Sequence, residues 1–169
     1  MFQKGEYVYH ESSGICKIDD ICAAPLAGMP ADRTYYVMRP IGDRNSVNYV
    51  PVDSRGVFVR PLLNRTAATA LLRQIASLDE ICEPNAKLLR LKYIEAMKTH
   101  QPIEWARVIK TVHGRIRAQN GKAVRVSESE RNFSENAKKN LFTELSLALE
   151  EDLEAIECAV LKCVEPIEA

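Results

Sequence analysis

Ten basic side chains fall within residues 86–125, namely Lys87, Arg90, Lys92, Lys98, Arg107, Lys110, Arg115, Arg117, Lys122 and Arg125, against only Glu95 and Glu104. A local charge of +8 is a source of field. The chemistry open to it is neutralisation of phosphates with release of their counterions, which gives affinity without reading base sequence. Arg107, Lys110 and Arg117 are spaced by three and seven residues and so share one helix face, while Trp105, Val108, Ile109, Val112 and Ile116 supply an apolar one. Lys87 and Arg90 pair in the same way on the stretch before. Charge alone leaves a second reading open, a solvated helix surface balanced by the acidic C-terminal segment.

Covalent and metal chemistry have little to draw on. The chain holds no Gly-rich phosphate loop, no G-x-G-x-x-G, no H-E-x-x-H and no nucleophile elbow. His10, His100 and His113 stand alone, without an obvious nucleophile beside them. Cys16, Cys22, Cys82, Cys158 and Cys163 are odd in number and scattered, which argues against a disulfide framework and against the paired ligands of a zinc site. Cys158 and Cys163 read as small apolar residues of a helix. No enzyme, no metal and no cofactor is expected. Trp105, the single tryptophan, falls in register with the apolar face of its helix and is expected in the core.

The elements that must position these residues divide the chain in two. Over 169 residues, 23 Lys and Arg cancel 23 Asp and Glu, yet residues 1–78 balance at +2, 79–141 at +5 and 142–169 at −7. Hydrophobic residues make up 46%, enough for a core, while no apolar run approaches a membrane span and the charged start does not resemble a signal peptide. A soluble, cytoplasmic, monomeric protein is expected. From Phe2 to about Arg60, Tyr7-Val8-Tyr9, Ile15 to Ile21, Tyr35 to Met38, Val47 to Val52 and Val57 to Val59 read as strands separated by Gly, Pro, Asn, Asp and Ser. Five short strands in sixty residues fit a small SH3-like or Tudor-like β-barrel.

The period changes after Leu62-Leu63. Asn64 or Thr66 caps a helix through Leu78 with Ala67, Leu71, Ile75 and Leu78 inward; Asn85 caps a second from Ala86 to about Lys98. Pro102 opens a third, which runs to Ala118 and stops near Asn120-Gly121. Ser127 and Glu130 form a capping box for a long helix carrying Phe133, Ala137, Leu141, Leu145 and Ala148 on one side. The fold class is therefore α+β, with residues 1–62 a small barrel and 63–169 all-helical. The acidic run Glu150-Glu151-Asp152, with Glu154 and Glu157, either folds back on the basic stripe or repels DNA from its end.

The order of these features resembles a known family. Phe2-x-Lys4-Gly5-Glu6-x-Val8-Tyr9, the Gly14-centred turn into Ile15 to Ile21, Tyr35 to Met38, Val50-Pro51-Val52 and Val59-Arg60-Pro61 look like the amino-terminal domain of the CarD family of bacterial transcription regulators, shared with transcription-repair coupling factor. Ser127-x-x-Glu130-Arg131, Ala137, Leu141 and Glu144 to Ala148 are similar to that family's last large helix. The resemblance implies a non-catalytic regulator. Its Tudor-like domain would dock on the RNA polymerase β subunit through Val47, Asn48, Tyr49 and Val50, while the helical domain would touch promoter DNA at the upstream edge of the melted region. The DNA contacts would be Lys87, Arg90, Arg107, Lys110 and Arg117, weak and made largely to phosphates. The alternative is a polymerase-bound adaptor whose helical domain binds another protein. Two departures fall on functional positions: Asn85 or Ala86 stands where many members carry a tryptophan wedge, and Tyr49 stands where members often carry an arginine before Val-Pro. The loop from Tyr9 to Gly14 is also one residue longer and lacks their proline, and the chain beyond Leu149 lies outside the resemblance.

Overall fold

A computed structural model describes residues 1–119 and 124–166. The chain divides into two compact units, Met1–Leu62 and the segment from Leu63 onward. The first is a five-stranded antiparallel sheet of β1 (Tyr7–His10), β2 (Gly14–Ala23), β3 (Thr34–Pro40), β4 (Asn48–Pro51) and β5 (Val59–Pro61). Strand order is β4-β3-β2-β1-β5, so β4 and β5 are open edges of a curled half-barrel. Gly14, at φ +69°, takes the left-handed conformation that the tight β1–β2 turn requires. Between Ile18 and Asp20 the pairing with β3 slips by one residue. Such a bulge bends its strand and strengthens its twist, which lets a sheet this small curl over its own apolar face. That face is Val8, Cys16, Ile18, Tyr36, Met38 and Val50, with Phe2, Ile21, Val52, Val57 and Val59 packed at its margin.

The expected strands Val47 to Val52 and Val57 to Val59 are displaced at their ends. β4 is shorter, because Val52 and the turn after it leave the ladder, although the Val52 N–H still donates to the Thr34 carbonyl at 2.9 Å. β5 begins where the earlier expectation ends, since the partners of β1 are Val59, Arg60 and Pro61. Val57 contributes a side chain to the core from outside the sheet.

The second unit holds, among the described residues, five helices: α1 (Arg65–Ile75), α2 (Ala86–Lys98), α3 (Pro102–Gln119), α4 (Glu128–Leu149) and α5 (Leu153–Val164). Their starts follow local chemistry. The Asn64 side chain accepts from the Ala67 N–H at 2.8 Å, and that of Asn85 from Lys87 and Leu88 at 3.0 and 3.2 Å. At α4 the Ser127 hydroxyl accepts from the Glu130 N–H while the Glu130 carboxylate accepts from the Ser127 N–H, closing the capping box. α3 packs against each of the other four helices. Accordingly Trp105, Ala106, Val108, Ile109 and Val112 are all fully buried.

Three helical expectations need adjustment. α1 ends at Ile75 rather than Leu78, with Ser77 and Leu78 continuing only in single turns, and its buried face carries Ala68 in place of Ala67. The expected stop at Asn120-Gly121 lies outside the described residues, as does Lys122. The acidic run spans the junction of two helices: Glu150, at φ +56°, ends α4, and α5 then lays Ile156, Val160 and Val164 against α1, α3 and α4. Cys158 is helical but exposed, because it points away from that apolar stripe.

Trp105 is the largest fully buried side chain of the unit. Trp105→Ala should lower unfolding free energy by about 3–5 kcal/mol, as large aromatic truncations in cores do, read as a shifted denaturation midpoint with unchanged slope. A fully stable variant would place the tryptophan outside the core.

Candidate functional site

Two surfaces were expected to work, the edge strand of the first unit and the basic face of the second. At the edge, β4 pairs with β3 alone, Val50 opposite Tyr36 and Tyr49 opposite Val37. The four expected docking residues divide by role. Val50 is buried and belongs to the core, so it offers a partner only its backbone. The Asn48 amide donates to the Ser13 hydroxyl at 2.8 Å, tying β4 to the β1–β2 turn. Tyr49 and Val47 are half-exposed and leave Tyr49 as the large side chain presented from this strand. Burial pushes the thiol of Cys16, on β2, up to about 11, against a hydrogen bond from Asn48 that lowers it, so the thiol is a packing group and not a nucleophile.

The ten basic residues of the 86–125 segment are spent unevenly. The Lys110 ammonium donates to the carbonyls of Ile75, Ala76 and Leu78 at 3.3, 2.6 and 2.7 Å. It caps the C-terminal end of α1, where a cation meets the helix dipole and its unpaired carbonyls. Arg107 donates through Nε to the Asp79 carbonyl at 3.0 Å and lies 3.6 Å from the Glu104 carboxylate. Lys92 reaches the Cys82 carbonyl at 3.2 Å and Glu83 at 3.3 Å. Arg115 is bound to Glu130 at 2.6 Å. Lys87, Arg90, Lys98, Arg117 and Arg125 are exposed and make no side-chain hydrogen bond or ion pair among the described residues.

Of the five residues expected to meet DNA, Lys87, Arg90 and Arg117 therefore keep their charge available, whereas Arg107 and Lys110 are hydrogen-bonded within the fold. Arg117 shares a depression of about 600 Å³ with Lys110, Glu80 and Glu165. Gly114 lets Glu80 in: a Cβ there would sit 2.9 Å from a Glu80 carboxylate oxygen. This end of the face is consequently mixed in sign. His113, one turn away, is held below the usual imidazole range first by burial and then by Arg117 and Lys138, against Glu165.

A tighter arrangement surrounds Arg115, on the same C-terminal part of α3. Glu130 accepts from Arg115 Nε at 2.6 Å and from the Tyr93 hydroxyl at 3.3 Å through one oxygen, and from the Ser127 N–H at 2.9 Å through the other. Burial raises its pKa, but the Ser127 N–H, the Arg115 guanidinium and the Ser127 hydroxyl outweigh that and hold it below the ordinary carboxylate range. The capping box was legible from spacing. Its extension to Tyr93 and Arg115 was not, because nothing in the sequence places α2 and α3 beside it. Among the described residues no cluster suited to a metal ion and no helix long and apolar enough to cross a membrane occurs.

Residues 2–63 match the family model of the CarD-like/TRCF RID domain, the RNA polymerase-interacting domain. The match covers the sheet unit and stops before α1, so the five helices lie outside it. No curated protein matches the chain significantly.

Because its folded-state pKa is depressed, the Glu130 carboxylate contributes stability that is complete above the unfolded-state pKa and is lost as pH falls through the folded-state value. Glu130→Gln should thus lower the melting temperature at neutral pH and flatten its fall between about pH 5 and pH 3, compared with the parent. Parallel melting curves for the two proteins across that range would dismiss the carboxylate as an acid-sensitive tie.

Proposed function

Since the amino-terminal unit is a CarD-like/TRCF RID domain, we propose that the protein is a non-catalytic bacterial transcription regulator. Its Tudor-like half-barrel docks on the RNA polymerase β subunit, and its helical unit contacts promoter DNA near the upstream edge of the melted region. The observation that carries the docking half is the open β4 edge within the matched unit. An exposed edge adds a partner strand through main-chain hydrogen bonds, and side chains beside it supply specificity. Val47 and Tyr49 are the contact side chains, while Asn48 and Val50 keep the strand in place and lend backbone. The DNA half rests on charge. Lys87, Arg90 and Arg117 make the phosphate contacts, and Arg107 and Lys110 add to the field from their places at helix ends.

A second reading has its own support. Leu88 and Leu91 on α2 are 49% and 53% exposed beside Lys87 and Arg90, a surface equally suited to an adaptor that binds another protein through the helical unit. The two readings part on salt. DNA contact through three phosphates gives a fall of log affinity with log salt of about −0.9 per phosphate. A mainly apolar protein contact is far less salt-dependent.

Tyr49→Asp should weaken polymerase pull-down without lowering the melting temperature, and a main-chain edge contact should leave part of the binding intact. Full retention would move the docking surface away from β4. On polymerase-bound protein, replacing Lys87, Arg90 and Arg117 by Ser one at a time should flatten the salt slope for fork DNA by roughly one unit or less each, with little change in sequence preference. A slope indifferent to all three substitutions would favour the adaptor.

A further inference from the structure

A cleft of about 300 Å³ opens between the first turns of α2, the last third of α3 and the start of α4. Its floor is apolar: the partly exposed Phe133 ring, backed by the buried Leu89 and Tyr93, the two rings 5.7 Å apart between centroids and inclined by 35°. Its rim carries Arg90, Arg115 and Arg125 against a single carboxylate, Glu130. That carboxylate is already bound by Arg115, Tyr93 and the Ser127 N–H, and the capping box has closed the end of α4. Arg90 and Arg125 are left as two exposed arginines lining the same cleft as Phe133, with no ion pair among the described residues. Burial and the neighbouring Glu130 push the Tyr93 phenol far above its ordinary range, so the floor stays neutral.

We propose that this cleft binds a single nucleotide, its base lying against Phe133 and its phosphate held by Arg90 and Arg125. The chemistry is an aromatic ring joined to an anion at a fixed short distance, which the cleft offers and an open helix face does not. Flat bases stack on aromatic rings and guanidinium planes, and the arginine fork matches phosphate oxygens. Small-molecule clefts run from roughly 300 to 1,000 Å³, so the volume suits one nucleotide and excludes a duplex. The nucleotide comes either from an unpaired stretch of a DNA strand or from the free pool. In the first case the inference deepens the DNA-contact reading and rests on it; in the second it stands alone.

Full-length protein labelled at its aromatic rings would be titrated in an NMR experiment with a short oligothymidylate, with thymidine monophosphate, with AMP and with a blunt duplex. The Phe133 and Tyr93 ring signals should shift saturably with the single strand or with a mononucleotide. Arg90→Ser with Arg125→Ser should weaken that binding at least about tenfold, whereas the same loss of charge at the exposed Arg73 and Lys139 should change it by less than about threefold. Ser129→Phe, at the mouth of the cleft, should block it without removing any charge. Shifts with the oligothymidylate alone assign the cleft to a strand, and shifts with mononucleotides that the strand cannot displace assign it to a free nucleotide. Silent rings with every probe, or equal losses in the two double variants, overturn the proposal. Duplex binding through Lys87 and Arg117 with silent rings would do so while leaving the phosphate reading intact, and ring shifts without duplex binding would do the reverse.

Discussion

Three helices converge on one carboxylate. Tyr93 from α2, Arg115 from α3 and the capped start of α4 all meet Glu130, and that residue is itself 7% exposed. A buried charge is tolerable only when its lone pairs are satisfied, and each of these partners supplies a donor that no apolar residue could replace in place. The consequence is geometric. Helix packing alone tolerates small slides and rotations, but a carboxylate that accepts from Tyr93, Arg115 and the Ser127 N–H restrains how α2 and α3 sit against the start of α4. The cleft lined by residues of all three helices lies beside that carboxylate.

The same reasoning separates charges that build the fold from charges that are left for partners. Lys110 and Arg107 lie on the basic face by spacing, yet both reach back to carbonyls where the chain leaves α1. Helix ends carry carbonyls with no internal partner, and a long cationic side chain on a neighbouring helix meets that need in a position where water would otherwise have to enter. Sequence periodicity reports which side of a helix a residue occupies. It is silent on what stands opposite, and here the opposite party is the end of another helix.

Where the structure followed the sequence closely, the determining chemistry was local. Asn85 and Ser127 set helix starts through side-chain bonds to backbone groups two or three residues away, so no knowledge of tertiary packing was needed. The sheet was similarly legible, because β-branched and aromatic runs between Gly, Asn and Asp carry their own boundaries. The discrepancies arose where a distant partner decides. β5 is defined by its pairing with β1, so its limits are those of Val8 to His10 and not those of its own composition. α5 was expected as helix around Cys158 and Cys163 but without bounds, since what fixes it is the cover its stripe of Ile156, Val160 and Val164 finds on three other helices. Arg125 was counted as charge without being assigned a place, and its relation to Phe133 required the fold.

The sheet also limits how many strands can be added to it. Of its two edges, β5 is three residues long and closes with Pro61, and β4 is four residues long and closes with Pro51. A proline lacks the N–H that a growing ladder needs, so neither edge can template a long run of copies of this chain, and stacking of one sheet on the next stops almost as soon as it starts. The same truncation restrains a legitimate partner. With so few main-chain bonds on offer, any added strand would gain only a shallow hold from the backbone, and side chains beside the edge would have to supply the rest. The placement of two prolines thus limits both self-pairing and the backbone hold available to any added strand at these edges.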